Sequence, residues 1–343
     1  MNIICDKSKL LEGINISLKA IPGKSTMAIL ECMVIEAKDG IIKLISNDLE
    51  IGIETIIEGE IKEPGSVAVN AKVFFEIIRK LPYNEVTISV NENLTMNITC
   101  GKAKFNIPVK DTEEFPYLPK IVKDKSVLIS QFTLKEVIHQ TVFSISDNEN
   151  TKVMTGELFE IKGSQLKVVS LDGHRISIRK VDLKEQYDDV SVIIPGKTLI
   201  EISKILNGGL DDEICMYFTD KHVLFEFDNT IVLSRLIEGE YYKIDKMLSS
   251  DYETKITVNK KDLFDCIDRT TLMIRESEKK PVIIDIKDTS MSLAINSGIG
   301  SMSEDIDISK EGKDILIGFN PKFLMDALKA VSYTHLRAHE TCA

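Results

Sequence analysis

The stretch IPGKTLIEISKIL, residues 194–206, occurs in three versions along this chain of 343 residues. The other two are VNAKVFFEIIRKL at residues 69–81 and FNPKFLMDALKAV at residues 319–331. One lysine of each version recurs at a constant interval of 125 residues (197 − 72 and 322 − 197), and the three are Lys72, Lys197 and Lys322. Apolar residues three and four positions apart predict one amphipathic helix in each version. A period of this length indicates three tandem domains of one ancestral type.

Composition and charge limit the classes of protein to which this chain can belong. The chain is 43% hydrophobic and 28% charged, and its formal net charge is −11. An acidic chain is not expected to bind nucleic acid with its whole surface, although a local basic lining stays compatible with this charge. No apolar run approaches the ~20 residues of a membrane span, and the first residues lack a signal-peptide core. We therefore expect a cytoplasmic protein that does not contact the membrane.

The cysteines and histidines predict neither a disulfide framework nor a metal site. The six cysteines are scattered, with no C-x-x-C pair and no clustered histidines. His335 and His339 stand one helical turn apart, but we give them no metal role. No cofactor is expected.

Each repeat combines helix and strand signals. Asp6 is a candidate N-cap for a first helix, and the counterparts of that helix lie at residues 132–142 and 259–269. Alternating β-rich segments separated by turns such as Asp39-Gly40 occupy the rest of each repeat. Two helices against an antiparallel sheet form an α+β unit. We place the three domains at residues 1–123, 124–251 and 252–331.

The third repeat ends differently from the other two. After the helix that ends the repeated stretch, the first two domains continue for about 43 residues of β-rich sequence, whereas only twelve residues (343 − 331) follow it in the third. Those residues, SYTHLRAHETCA, have none of the Val/Ile alternation that strands require. We expect the third domain to be incomplete and residues 332–343 to be a non-native tail.

Two short motifs suggest chemistry. Gly23-Lys24-Ser25-Thr26 is similar to the end of a phosphate-binding loop, but Leu18 occupies the place of its required first glycine. Asp172-Gly173-His174-Arg175 pairs a carboxylate with a histidine, as general acid–base catalysis requires, yet the same residues are typical of a turn between strands. No Ser or Cys nucleophile lies in a recognisable elbow nearby. A hydrolase or transferase using Asp172 and His174 is therefore the alternative function.

Five segments together resemble the bacterial sliding clamp, the β subunit of DNA polymerase III. They are SNDLEIGI (46–53), EFPYLP (114–119), SLDGHRIS (170–177), SRLIEGEYYKIDKML (234–248) and IGFNPKFLMDAL (317–328). The likeness extends over about residues 1–331. It implies a head-to-tail homodimer in which six similar domains close into a ring, with helices inside and sheets outside. It also implies a processivity factor without catalytic residues, and lysines on all six helices would then line the ring.

The resemblance further implies partners and sites. The expected partners are double-stranded DNA of any sequence, the polymerase III catalytic subunit, the clamp loader and other proteins with a clamp-binding motif. DNA contacts are expected at Lys24 and Lys197, and a subunit interface at Phe105 and Ile107 against Leu272 and Met273. The family usually has Pro at the place of Tyr242 and Arg at that of Lys246. The partner-peptide pocket corresponds to Met154, Leu171, Gly173, His174, Arg175, Ile176, Tyr242, Lys246, Met247, Asn320 and Phe323.

Overall fold

The computed structural model describes residues 1–82, 84–124, 126–209, 211–244, 247, 252–275 and 280–330. Within these ranges the helices are α1 (Lys7–Ser17), α2 (Ala71–Lys80), α3 (Gln131–Thr141), α4 (Gly196–Ile205), α5 (Lys260–Thr271) and α6 (Pro321–Ala330). The strands are β1 (Asn2–Asp6), β2 (Cys32–Lys38), β3 (Ile41–Asn47), β4 (Ile51–Ile57), β5 (Glu60–Glu63), β6 (Gly65–Asn70), β7 (Glu85–Val90), β8 (Thr95–Cys100), β9 (Ala103–Pro108), β10 (Ser126–Ser130), β11 (Gly156–Leu171), β12 (Ile176–Pro195), β13 (Glu213–Phe218), β14 (His222–Phe227), β15 (Thr230–Arg235), β16 (Thr254–Val258), β17 (Val282–Lys287), β18 (Ser290–Asn296), β19 (Ser301–Gly312) and β20 (Ile315–Phe319).

The repeated stretch forms one helix in each third of the chain, as predicted. Phe74 of α2 and Leu199 of α4 are fully buried, whereas Lys72 and Lys197 on the same helices are exposed. The apolar face of each helix therefore packs on the core and the lysines face solvent. The predicted N-cap of α1 is confirmed, because the Asp6 carboxylate accepts the backbone N–H of Ser8 at 2.7 Å.

The α+β class is confirmed, and the sheets show how the repeats connect. An eight-stranded sheet has the order β10-β13-β14-β15-β4-β3-β2-β6, so it combines strands from the first and second repeats. The joint is the antiparallel pair of β15 and β4, in which Val232 lies opposite Ile53. Ile53 also belongs to the hydrophobic core of the second repeat, beside Phe159 and Phe225. The first two repeats thus share both a sheet and a core.

Two five-stranded sheets account for most of the remaining strands. Their orders are β5-β1-β7-β8-β9 and β16-β19-β18-β17-β20. The core of the first repeat surrounds Phe74 and Leu10, and that of the third surrounds Leu293 and Leu328. Among the described residues, no helix has the length and apolar run that crossing a membrane requires.

Two long strands, β11 and β12, form a sheet of their own in the middle repeat. Their pairing shifts register on either side of Gly163. Gly163 has a φ of +58°, a conformation that glycine adopts without steric cost. The predicted tail at 332–343 lies outside the described residues.

Replacing Leu199 by Ala should lower the free energy of unfolding by about 2–5 kcal/mol, because it leaves a cavity in the core that the first two repeats share. Lys204→Ala on the same helix is the matched control. Its exposed ion pair with Glu201 contributes little, so the unfolding free energy should hardly change. Urea unfolding measures the free energy of unfolding of both variants, which can be compared if the m-value stays the same. An equal effect of the two would contradict the assignment of Leu199 to this core.

Candidate functional site

The turn between β11 and β12 is built by Asp172. Its Oδ1 accepts the backbone N–H groups of His174 at 2.9 Å and Arg175 at 3.1 Å. Gly173, between Asp172 and His174, has a φ of +88°, which favours glycine, and no atom lies within 4 Å of where a Cβ would stand. Asp172 therefore holds the turn together, and open space lies beside Gly173.

Arg175 joins the second repeat to the third. Its Nε lies 2.9 Å from Asp172 Oδ2 and its Nη1 lies 2.8 Å from Oδ2 of Asp326 on α6. The guanidinium also lies 4.5 Å from the ring centre of Phe323 and 5.4 Å from that of Phe143. Only 17% of the Arg175 side chain is exposed, so both ion pairs are shielded from solvent.

The same contacts count against acid–base catalysis at this turn. The Asp172 carboxylate is committed to two backbone N–H groups and to Arg175. The His174 ring instead stacks on Phe323 with centroids 5.7 Å apart. A catalytic pair needs its carboxylate hydrogen-bonded to the imidazole. The geometry therefore favours the interpretation as a turn over the hydrolase or transferase alternative.

An apolar surface lies beside the turn, on the face of β11 and β12 opposite the core of the second repeat. Val169, Leu171 and Ile244 are buried there. Half-buried apolar side chains pack around them, and these are Met154, Leu158, Ile176, Ile178 and Tyr241. We call this surface together with Gly173–Arg175 and Phe323 the cleft.

Tyr241 anchors the segment at residues 236–244, which covers one side of the cleft. Its hydroxyl donates towards the carbonyl oxygens of Gly156 at 3.4 Å and Val169 at 3.3 Å. Burial raises the pKa of Tyr241, so the hydroxyl remains a donor at neutral pH. Tyr242 and Met247 follow it on the surface, with 40% and 50% of their area exposed.

Of the residues predicted for the pocket, most lie around this cleft. Asn320 caps α6, since its Oδ1 accepts the Lys322 N–H at 3.0 Å, and it thereby positions Phe323 on the first turn. Lys246 lies outside the described residues. Sequence reasoning missed Phe143, Val169, Tyr241, Ile244 and Asp326 as parts of the site. Tyr241 and Ile244 stand inside the quoted segment 234–248, and Asp326 matches an acid in the other two repeats, so a signal was present for three of them.

The two lysines predicted to contact DNA are both exposed, but they differ in their partners. Lys24 lies in the loop between α1 and β2, and Lys72 Nζ donates to the Gly23 carbonyl of that loop at 3.1 Å. Lys197 Nζ lies 2.6 Å from Oδ2 of Asp48, whose side chain is only 6% exposed. Lys197 therefore links the second repeat to the first and is partly neutralised within the chain.

The residues predicted for a subunit interface lie at two separate places, one on a sheet edge and one after a helix. Among the described residues strand β9 has a neighbour on one side only, and its Phe105 is 38% exposed while Ile107 is half-buried. Phe105 and Val73 of α2 contribute to a shallow groove of about 460 Å³. Leu272, just after α5, is 70% exposed, and Met273 beside it is half-buried against the third core.

The described residues contain no group of three His, Cys, Asp or Glu side chains placed to hold a metal ion.

Comparison with known families assigns the whole chain. Residues 1–119 match the family model for the N-terminal domain of the DNA polymerase III beta subunit. Residues 128–243 match the model for its central domain, and residues 245–339 the model for its C-terminal domain. The three matches follow one another in the order of the repeats.

Individual relatives agree. The beta sliding clamp of Staphylococcus epidermidis is 35% identical over 341 residues, which cover 96% of this chain and 90% of that protein. A crystal structure described as a DNA polymerase III beta subunit from Eubacterium rectale has 58% sequence identity and a TM-score of 0.94, covering 97% of this chain and 90% of that one. The DNA polymerase sliding clamp of Bacillus subtilis has 33% identity and a TM-score of 0.93 over the same shares. The chain therefore belongs to the DNA polymerase III beta-subunit family, the bacterial sliding clamps, which are non-catalytic processivity factors of DNA polymerase.

Proposed function

We propose that two copies of this chain close head to tail into a ring around duplex DNA, with helices inside and sheets outside, and tether polymerase and other replication proteins through the cleft. The ring works in the bacterial cytoplasm, and its domains are those at residues 1–123, 124–251 and 252–331. The observation that carries the proposal is the joint between β15 and β4, because their counterparts in the first and third repeats, β9 and the first half of β19, have no such partner among the described residues.

One open margin is β9. Strands β7, β8 and β9 follow α2 as β13, β14 and β15 follow α4, so β9 is the counterpart of β15. Phe105 pairs with Ile98 on its neighbouring strand as Val232 pairs with Phe225. Unlike β15, β9 has no strand on its outer side among the described residues. An unpaired row of backbone N–H and C=O groups favours pairing with another chain.

The other open margin is the first half of β19. It follows β18 as β4 follows β3, with Asn296 opposite Ser301 where Asn47 lies opposite Gly52. Its second half pairs with β16, but residues 301–307 pair only with β18 in the described structure. Transferring the register of the inner joint puts Phe105 of one copy opposite Met302 of the second copy.

Exposed apolar side chains near the two open strand margins support the same pairing between two copies of the chain. Phe105 and Val73 are exposed on the first domain, and Leu272 and Ile299 are 70% and 50% exposed on the third. Ile299 lies in the β18–β19 turn, whose counterpart in the first domain carries Asp48, the partner of Lys197. The inner joint thus uses an ion pair where the subunit joint offers an apolar contact. Burial of several such side chains stabilises a closed ring.

DNA binding in a ring needs weak and sequence-independent contacts. Lysines on exposed helix faces supply these through phosphates, and Lys24 and Lys197 are the two that we assign. Sharing Lys197 with Asp48 lowers the charge that it presents to a phosphate. Topological enclosure, rather than affinity, then retains the ring on DNA.

The cleft is suited to a short apolar peptide. On the outer face of the first domain, Phe115 is buried and Leu118 covers Gly52, so the chain fills that surface itself. On the second domain Met154 and Ile176 remain half-buried and open space lies beside Gly173. Flexible methionines such as Met154 and Met247 allow several partners to be accommodated. The polymerase III catalytic subunit, the clamp loader and other proteins with a clamp-binding motif are the partners that we assign.

After loading by a clamp loader, the protein should remain on closed circular DNA and be lost when the circle is cut. A gel-filtration retention assay before and after linearisation measures this. Equal retention on both substrates would contradict encirclement and would favour ordinary binding.

In the same assay, replacing Lys24 and Lys197 together by Ala should shorten the retention time and weaken the salt dependence of loading. Lys24 should account for more of the loss, because Lys197 is shared with Asp48. Lys184→Ala is the control, since this exposed lysine is paired with Glu213 on the sheet side. A parallel loss in the control would argue against the assigned lining.

Phe105→Asp should raise the monomer fraction in sedimentation at micromolar protein, because it introduces a charge opposite Met302 of the second copy. Leu316→Asp changes a side chain that is 66% exposed on β20, outside the proposed joint, and should leave the dimer intact. If the Phe105 variant stays dimeric, the joint is wrongly assigned.

Gly173→Leu should weaken binding of a fluorescein-labelled peptide with Leu and Phe anchors at least about tenfold, or about 1.4 kcal/mol, as read by anisotropy. A side chain there fills the open space beside the cleft. Gly163→Leu carries the same cost of positive φ in open surroundings, away from the cleft turn, and serves as the control. A similar loss of peptide affinity in both variants would contradict the assignment of Gly173 to the site.

A further inference from the structure

Among the described residues of the second domain, one carboxyl group is enclosed in the core. Glu157, on β11, has no exposed surface. Its Oε2 lies 3.1 Å from Thr141 Oγ1, at the end of α3, and its Oε1 has no hydrogen-bond partner among the described residues. A buried carboxylate without a cation is strongly unfavourable, so this group requires an explanation.

The repeat provides an internal comparison. Met33 on β2 and Val282 on β17 hold the corresponding position in the first and third domains, and both are fully buried. The surroundings match, because Ser46 Oγ donates to the Ser17 carbonyl as Ser170 Oγ donates to the Thr141 carbonyl, each at 2.5 Å. The fold therefore does not need a carboxyl group here. Only the domain that carries the cleft has one.

The hydrogen bonds favour the uncharged acid. Thr141 has one hydroxyl proton, and Val137 O, at 2.8 Å, accepts it in the usual helix pattern. With that proton directed to Val137, the Thr141 oxygen can accept a hydrogen bond from the carboxyl O–H of Glu157, which a carboxylate could not donate. The carboxyl group also lies at the C-terminal end of α3, where the helix dipole disfavours negative charge.

The electrostatic surroundings agree with this protonation. Burial raises the pKa of Glu157 well above its usual value. On β12, Ile194 lies opposite Glu157. The ionisable side chain that faces Glu157 from the segment covering the cleft is Tyr241. No Lys, Arg or His of the described chain contributes to the shift.

Glu157 is positioned to affect both sides of the cleft. The residue before it, Gly156, provides a carbonyl that accepts the Tyr241 hydroxyl. Met154 stands three residues earlier and packs on the cleft surface. Phe143, two residues after Thr141, packs on the Arg175 guanidinium. Ionisation of Glu157 would draw water between α3 and the start of β11, where these contacts converge.

We propose that Glu157 is a proton-linked positioning residue for the cleft: as an uncharged acid it holds the start of β11 against α3, and loss of its proton loosens Met154 and the Tyr241 segment. The proposal rests on the proposed peptide-binding role of the cleft. Because the folded chain keeps this proton to higher pH than the unfolded chain, the stabilising effect is present below the ordinary carboxyl pKa. It is lost as the pH rises through the raised value.

The test compares the parent chain with Glu157→Gln, which keeps the shape and the hydrogen-bond donor but cannot ionise. Between pH 5 and 9 the thermal midpoint should fall with rising pH more steeply in the parent than in the variant. The folding equilibrium constant of the parent should decrease by up to about tenfold per pH unit relative to that of the variant. Glu185→Gln removes an exposed carboxylate on β12 and should keep the parental slope. Glu157→Met, copying Met33, should behave as Glu157→Gln does.

Two further measurements connect this linkage to the cleft. Affinity for the labelled peptide should decrease several-fold with rising pH in the parent and stay level in Glu157→Gln. Amide hydrogen exchange of residues 236–244, corrected for intrinsic rate, should show the same contrast without any peptide. If stability depends on pH in the same way in the parent and in Glu157→Gln, Glu157 is not the protonated group that we propose. If the exchange rates of both proteins are independent of pH, Glu157 does not position the cleft. Absence of peptide binding at every pH would instead count against the proposed cleft, while exchange still decides the role of Glu157.

Discussion

The backbone hydrogen bonds between β15 and β4 are the interaction on which the architecture depends. They make one eight-stranded sheet from two repeats, and Ile51 and Ile53 bury their side chains in the neighbouring core at the same place. A strand pair of this kind fixes both distance and orientation, because each residue has one partner in register. The shared sheet and the shared core therefore hold the first two repeats in one fixed orientation.

Polar side chains reinforce these joints in different ways. At the first joint Lys197 reaches from the second repeat to the buried carboxylate of Asp48. At the second, Arg175 reaches from the second repeat to Asp326 of the third and is enclosed by Phe143 and Phe323. The charges are reversed between turn and helix, and the positions differ, because the repeat places Lys322 rather than Asp326 at the position of Lys197. Each joint therefore has its own ion pair, formed by different positions of the turn and of the helix.

The repeat and its helices could be predicted from sequence because they depend on local signals: apolar spacing, the Asp6 cap and three matching stretches. Several of the pocket residues that the resemblance implies lie close together in the structure, since short motifs such as SLDGHRIS occupy one turn, and their role in binding stays a prediction. Partners separated by more than a hundred residues could not be predicted. Nothing local to Lys197 indicates Asp48, and nothing near Arg175 in sequence indicates Asp326. Glu157 was missed because an acid in a strand is usually assigned to the exposed face, and only the sheet geometry turns it inward.

In the proposed ring, the pairing of Lys197 with Asp48 would have a consequence for motion along DNA. A lysine with no other partner would attract each passing phosphate more strongly and would deepen the potential well at every step of the backbone. A lysine that already shares its charge with a carboxylate 2.6 Å away exchanges one anion for another, so the wells become shallow. Shallow wells mean low friction, and the diffusion of the ring along the duplex would then be limited by solvent drag and rotation instead of by the breaking of individual contacts.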